Sequence, residues 1–280
     1  MAGFDDLPSE QRFEGVGGLR IAYRTWLPAG TPKAAVLIVP GFNSHSGYYG
    51  WTAARLTAQG LAVYAIDLRG RGVSDGERFY VDTIDEYAGD VEGLMAIVKA
   101  EQPGRKVFVL GHSAGGVTSC IYTLDHQKDV AGLICESFAY QTPAPDFAIA
   151  ALKGLSHLAP HAHVLALPNK DFSRDATAVE TMNADPLIAH ETQPTKTISA
   201  LARADDRLKT SFGKITVPVL ILHGTADKAT KPAGSQSFFD QAGSTDKTLK
   251  LYEGHYHDML NDIGKEQVMA DIEGWIAARL

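Results

Sequence analysis

A chain of 280 residues, 45% hydrophobic and 21% charged, is long enough to bury a substantial core without metals or disulfides. Its formal charge of -7 argues against a polyanion-binding protein, because phosphate contacts need a clustered Lys/Arg field, so no nucleic-acid partner is expected. The longest apolar run, AAVLIV, is far short of the roughly 20 residues that span a bilayer, and the acidic start MAGFDDLPSE has no apolar signal-peptide segment.

In chain order, RFEGVG and LRIAYRTW, joined by glycines, predict an antiparallel hairpin at a sheet edge. Five short apolar runs follow: AAVLIV (34–39), LAVYAI (61–66), KVFVL (106–110), VAGLIC (130–135) and VPVLIL (217–222). Unbroken runs of this length suit strands buried on both faces. Between them lie YYGWTAARLTAQG, DEYAGDVEGLMAIVKAEQ and AGGVTSCIYTL, helical in length and spacing. Strands alternating with helices predict right-handed crossovers and a mostly parallel sheet. Cys120 and Cys135 fall in a predicted helix and strand, as buried free thiols rather than a disulfide framework, which places the chain in a reducing compartment, the cytoplasm.

The rhythm breaks between Phe138 and Asp205, where no strand is predicted and PAPDFAIAALKGLSHLAPHAHVLALP reads as helical and punctuated by proline. The expected organisation is a core of residues 1–137 and 206–280, with 138–205 inserted as a lid over the carboxyl ends of the strands. Phe147, Leu152, Leu155 and Leu158 fall along one face of the lid helix. Packing onto the main domain is the expected role of each; an acyl-chain tunnel or lipid-docking face is the alternative.

Gly-x-Ser-x-Gly occurs twice, around Ser74 in RGVSDGE and around Ser113 in VFVLGHSAGG. Ser113 lies between a predicted strand and a predicted helix, the sharp turn that exposes a nucleophile and directs helix N–H groups toward it. Side chains at 111 and 115 would collide there with neighbouring backbone. Ser74 follows a polar loop and precedes no helix, so it reads as a turn residue.

A serine hydroxyl needs a neutral imidazole within reach, oriented by a carboxylate, in the chain order Ser, acid, His. Asp227, four residues past His223 in VPVLILHGTADK, is the acid at a strand's carboxyl end; Asp205, Asp206 and Asp240 read as helix surface charges. HYHD offers His255 and His257, and the residue pattern does not choose between them. His223 reads as a strand-end residue. His157, His161 and His163 have no neighbouring cysteine or close carboxylate to complete a site, so no metal is expected. The oxyanion donors are expected to be the backbone N–H groups of Ala114 and, from the loop PGFNSHSGYY, Phe42.

GHSAGG, DLRGRGVSDGER, NADPLI, ITVPVLILHGTADK and DKTLKLYEGHYHDML together resemble the monoacylglycerol lipase and lysophospholipase branch of the α/β-hydrolases, a serine aminopeptidase S33-type family, from about residue 10 to the C-terminus. The resemblance implies the α/β-hydrolase fold with a mostly parallel eight-stranded sheet and a helical lid. It selects His257 from the YEG-x-YH form of the last segment. It also implies ester hydrolysis through an acyl-serine, with a lipid or other small ester and water as substrates and no cofactor; the alternative reading of the lid stripe adds a transient membrane-surface contact through the lid. The oxyanion loop departs from the family pattern: Pro40-Gly41 stands for His-Gly, Phe42 for a small residue, and Ser44 and Tyr48 for Glu and Arg. That departure bears on head-group specificity and leaves the triad intact. Glu136, at a strand end, is read either as a head-group ligand or as the partner of a lid or loop base.

On this reading Ser113 attacks an ester carbonyl, His257 takes and returns the proton, and Asp227 orients the ring. The competing readings are an esterase or acyltransferase acting on small non-lipid esters, and a ligand-binding protein on a hydrolase scaffold.

Overall fold

The computed structural model describes residues 8–140 and 146–280; MAGFDDL and positions 141–145 at the start of the expected lid lie outside them. The edge hairpin is present as β1 (Gln11–Glu14) and β2 (Arg20–Trp26), paired antiparallel. The apolar runs form β3 (Ala34–Val39), β4 (Leu61–Ile66), β5 (Val107–His112), β6 (Gly132–Glu136), β9 (Val219–Gly224) and β10 (Lys247–Tyr252). They build an eight-stranded sheet in the order β1-β2-β4-β3-β5-β6-β9-β10, parallel from β4 to β10.

Every residue of β3, β4, β5 and β9 is buried, as uninterrupted apolar runs require when both faces are covered. One face carries α2 (Ile84–Glu101), α3 (Ala114–His126), α6 (Thr195–Lys209) and α7 (Pro232–Gln241), which share a core around Leu37, Val109 and Ile221. The other carries α1 (Gly50–Ala58) and α8 (Lys265–Ala277), packed around Val36, Phe108 and Leu220. At the start of α2, Glu86 reaches back 3.4 Å to the Thr83 N–H, as in a capping box.

The insertion differs from its expected form in three respects. HVLA and TQP form β7 (His163–Ala166) and β8 (Thr192–Pro194), a two-stranded antiparallel ribbon in a region where no strand was predicted. All four β7 side chains are exposed and β8 ends in proline, so neither segment carries the alternation that marks a half-buried strand. The expected boundary at 205 falls inside α6, whose Ala200, Leu201, Ala204 and Leu208 belong to the main core; we therefore draw the end of the lid near 194. Finally, the lid helix α4 (Asp146–Leu158) packs on α6 but leaves Phe147 78% and Leu158 86% exposed, so packing onto the main domain is not their role.

The sheet and α3 meet at the Ser113 turn with no spare volume. A Cβ on Gly115 would lie 2.1 Å from the Val39 carbonyl oxygen, and one on Gly111 would lie 2.5 Å from the Gly115 carbonyl oxygen. Gly115→Ala is therefore expected to destabilise the fold by about 1–3 kcal/mol through overpacking. Gly154→Ala, in the open flank of α4, should raise stability slightly by removing chain entropy. Thermal unfolding of the two variants checks this; equal melting temperatures would contradict it.

Candidate active site

Ser113 sits between β5 and α3 with φ 55° and ψ -121°, a backbone conformation that a side chain rarely adopts. Its N–H donates to the Glu136 carbonyl (2.9 Å), and its own carbonyl accepts from Gly116 in the first turn of α3. These bonds at both ends hold the strained turn in place. His257 Nε2 lies 2.8 Å from Ser113 Oγ, and His257 Nδ1 lies 2.7 Å from Asp227 Oδ2. Serine, histidine and acid thus form one continuous hydrogen-bonded chain across β5, the loop after β10 and the loop after β9.

Asp227 receives more support than the sequence suggested. Its Oδ1 accepts from the Ala229 and Thr230 N–H groups, and its Oδ2 accepts from the Thr230 hydroxyl (2.8 Å). His223 Nε2 is 3.0 Å from the same Oδ2, while its Nδ1 meets Ser235 Oγ at 2.7 Å. Burial alone would raise the Asp227 carboxyl, but His257 and His223 outweigh it and hold the group well below the usual carboxylate range. His223, read from sequence as a strand-end residue, is at the strand end and also flanks Asp227. The His-x-x-x-Asp spacing was the available signal, and it is too common to single out.

The two segments that carry the candidate oxyanion donors adjoin Ser113. Ala114 opens α3, and the loop bearing Phe42 passes directly beside the elbow: a Cβ on Gly41 would lie 2.7 Å from Ser113 Cβ. The Phe42 ring lies over the Arg71 guanidinium, 4.1 Å from its centroid. Arg71 is buried and engages Tyr87 on α2 and Glu191 and Gln193 from the insertion. Asn43 donates to the Leu167 carbonyl and to Asn169, and Asp185 Oδ2 meets both His45 Nε2 (2.8 Å) and the Tyr48 hydroxyl (2.9 Å). Tyr48 and Ser44, which stand where the family pattern has charges, are thereby accounted for: Tyr48 anchors the loop to the insertion, and Ser44 bonds the buried Tyr49 hydroxyl.

The insertion also reaches the histidine loop. Phe172 packs edge-on against His257 with ring centroids 5.0 Å apart, and its carbonyl accepts from the Asp258 N–H. Ser173 and Arg174 bond Asn261 and Asp262 beyond it. Ser113 is 6% exposed and His257 is fully covered.

Residues set aside in the sequence take other places. The Ser74 hydroxyl donates to the Asp67 carbonyl (2.6 Å) and accepts from the Ala22 N–H, a turn fastened to β2. His255 lies outside the hydrogen-bonded chain, beside Tyr252 and against Gly264. His157, His161 and His163 engage Arg203, Glu77 and Thr192 separately. Glu136 is completely buried, its Oε1 accepting from the Leu260 N–H, and among the described residues no lysine or arginine pairs with it. Both sequence-based roles for Glu136, head-group ligand and partner of a base, are corrected by that burial. No helix among the described residues is long and apolar enough to cross a membrane.

Comparison with known proteins gives this arrangement a context. The profile of the family described as serine aminopeptidase, S33, matches residues 30–264. A monoacylglycerol lipase of Mycolicibacterium smegmatis is 33% identical over 97% of this chain and 98% of its own length. The human monoglyceride lipase is 32% identical over 99% of this chain and 92% of its own. The crystal structure of a Paleococcus ferrophilus monoacylglycerol lipase superposes with a TM-score of 0.82 at 31% identity, covering 94% of this chain and 99% of that one. With a matching profile over most of its length and relatives aligned nearly end to end, the chain belongs to the serine aminopeptidase S33 family of α/β-hydrolases.

Proposed function

We propose that the protein is a serine hydrolase that cleaves carboxylic esters of the monoacylglycerol or lysophospholipid kind through an acyl-serine intermediate. The single observation that carries the reading is the unbroken chain Ser113 Oγ, His257, Asp227 at a strained strand-to-helix turn. In this mechanism His257 takes the Ser113 proton as Oγ attacks the ester carbonyl, and returns it to the leaving alcohol. Water then enters, loses its proton to His257 and attacks the acyl carbonyl, releasing the acid and restoring Ser113. Asp227 fixes the tautomer, because its Oδ2 accepts the Nδ1 proton and leaves Nε2 as the base. The tetrahedral oxyanion is received by the N–H groups of Phe42 and Ala114, which carry no charge of their own to desolvate.

The lipid character of the substrate is supported by the named activities of the end-to-end relatives and by the lid surface. Phe147, Leu155 and Leu158 on α4 are exposed, as are Val164 and Leu165 on β7. A surface of this kind is suited to a transient docking on lipid, which would bring the insertion to the interface where water-insoluble esters reside. The free Cys120 and Cys135 thiols, which share a hydrogen bond at 3.7 Å in the core, fit a reducing compartment such as the cytoplasm.

Ser113→Ala should lower kcat on a short p-nitrophenyl ester by at least about a thousandfold. Ser74→Ala should lower the melting temperature and leave kcat near wild type; near-normal turnover in the Ser113 variant would sink the nucleophile assignment. His257→Ala is expected to match the loss seen at Ser113, whereas His255→Ala keeps most of the activity. The reverse ranking would move the base to His255. Comparing kcat/KM over monoacylglycerols, lysophospholipids and simple soluble esters tests the substrate class. A profile favouring short soluble esters would replace the lipid reading with a small-ester one.

Glutamates at both Phe147 and Leu158 should weaken sedimentation with phosphatidylcholine vesicles by more than about tenfold, since burial of each side chain contributes about 1.5–3 kcal/mol. Turnover of a soluble ester should persist in that double variant. Unchanged vesicle binding would contradict the docking surface.

A further inference from the structure

Beneath His257, three chain segments place ionisable groups together. His112 at the end of β5, Glu136 at the end of β6 and Asp258 in the histidine loop each bring a nitrogen or oxygen within 4.8 Å of the others. The donors that face this cluster have the wrong polarity for a cation. The Leu260 N–H points at Glu136 Oε1 (3.1 Å), and the Asn261 amide group donates to both Asp258 oxygens. The cluster is therefore a protein-internal polar layer, not a metal site.

Glu136 occupies a particular position in that layer. Its main-chain carbonyl accepts the Ser113 N–H at 2.9 Å, so it is bonded to the nucleophile's own backbone. Its side chain reaches the opposite way, and its carboxyl accepts from the N–H groups of Leu260 and Met259, in the turn Met259–Asn261 that follows His257. One residue thus ties the backbone of Ser113 to the turn that follows His257. His112 supplies a parallel tie, with Nε2 3.3 Å from the His257 carbonyl. We propose that Glu136 is a positioning residue for the hydrolysis, its buried side chain setting the separation of Ser113 and His257. The proposal rests on the triad assigned above and adds to it a residue that touches no substrate.

The protonation state follows from the surroundings. Burial raises the Glu136 carboxyl well above the usual range and the Asp258 charge adds to the effect, with the two amide donors pulling the other way. Asp258 is pushed up to about 6 by burial, with Asn261 and His257 opposing. His112 is lowered to about 3 by burial and by His257, which keeps it neutral. The other titratable groups facing the cluster are Asp227, Tyr49, Tyr252 and Asp262. His223 faces the layer as well, and among the described residues no lysine or arginine pairs with either carboxyl. The Oε2 atom is buried and has no hydrogen-bond partner among the described residues.

The test compares two conservative variants with wild type and Ser113→Ala, with active sites counted by fluorophosphonate titration. Glutamine reproduces the neutral acid, with an acceptor oxygen for the turn, so Glu136→Gln should keep kcat and the acidic limb of the pH–rate profile. Aspartate keeps the carboxyl but is one methylene too short to reach the turn. Glu136→Asp should therefore lower kcat by about 10- to 100-fold at little changed KM, the cost of a misplaced base. Wild-type kcat in Glu136→Asp overturns the proposal. So does a Glu136→Gln variant that loses activity as severely as the aspartate variant, or whose acidic limb shifts. If Glu136→Asp does not fold, the Glu136→Gln activity and pH profile decide by themselves. Turnover by Ser113→Ala would instead remove the triad on which the proposal stands, whatever the Glu136 variants do.

Discussion

The close approach of β3, β5 and α3 at Gly111 and Gly115 is the constraint on which the rest of the site depends. Backbone meets backbone there without an intervening side chain, which forces the single residue between strand and helix into a positive φ. That residue is Ser113. The strain is held by hydrogen bonds on each side, from its N–H to Glu136 and from α3 to its carbonyl. As a result its hydroxyl stands above the sheet's carboxyl edge, where the loops after β9 and β10 can bring an acid and a base to it.

Those loops are flexible by nature and are made rigid by buried polar contacts. Asp227 is fixed by the turn it begins and by His223 and Thr230. His257 is fixed by Phe172 above it and by the His112 and Glu136 layer below. The loop carrying Phe42 is fixed by Asn43, His45, Tyr48 and Arg71, each of which reaches a residue of the insertion. The insertion is therefore more than a cover: it supplies partners to both the oxyanion loop and the histidine loop. A buried polar group without its partner is costly, so movement of the insertion and geometry of the site are coupled through these bonds.

The sheet was legible because its signals are local. AAVLIV, LAVYAI and VPVLIL are unbroken apolar runs, and such runs become strands buried on both faces. The insertion was less legible. HVLA lies exposed in β7, and the apolar stripe of α4 faces solvent, so hydrophobic pattern misled in both places. Burial of α6 in the main core depends on which surface it meets.

For the site, Ser113 followed from strand-before and helix-after context, and Asp227 from its place after β9. These are properties of the chain's order, and the sequence alone determined them. Between His255 and His257 the residue pattern was silent, and the family resemblance chose His257; its contact with Ser113 Oγ is a tertiary fact. The roles of His223, Phe172, Asp185 and Glu136 were decided by tertiary structure alone. Phe172, Asp185 and Glu136 act across separations of chain that no local pattern records, and His223 across a four-residue spacing too common to single out, through hydrogen bonds or ring contacts whose value arises only when burial removes the competing water.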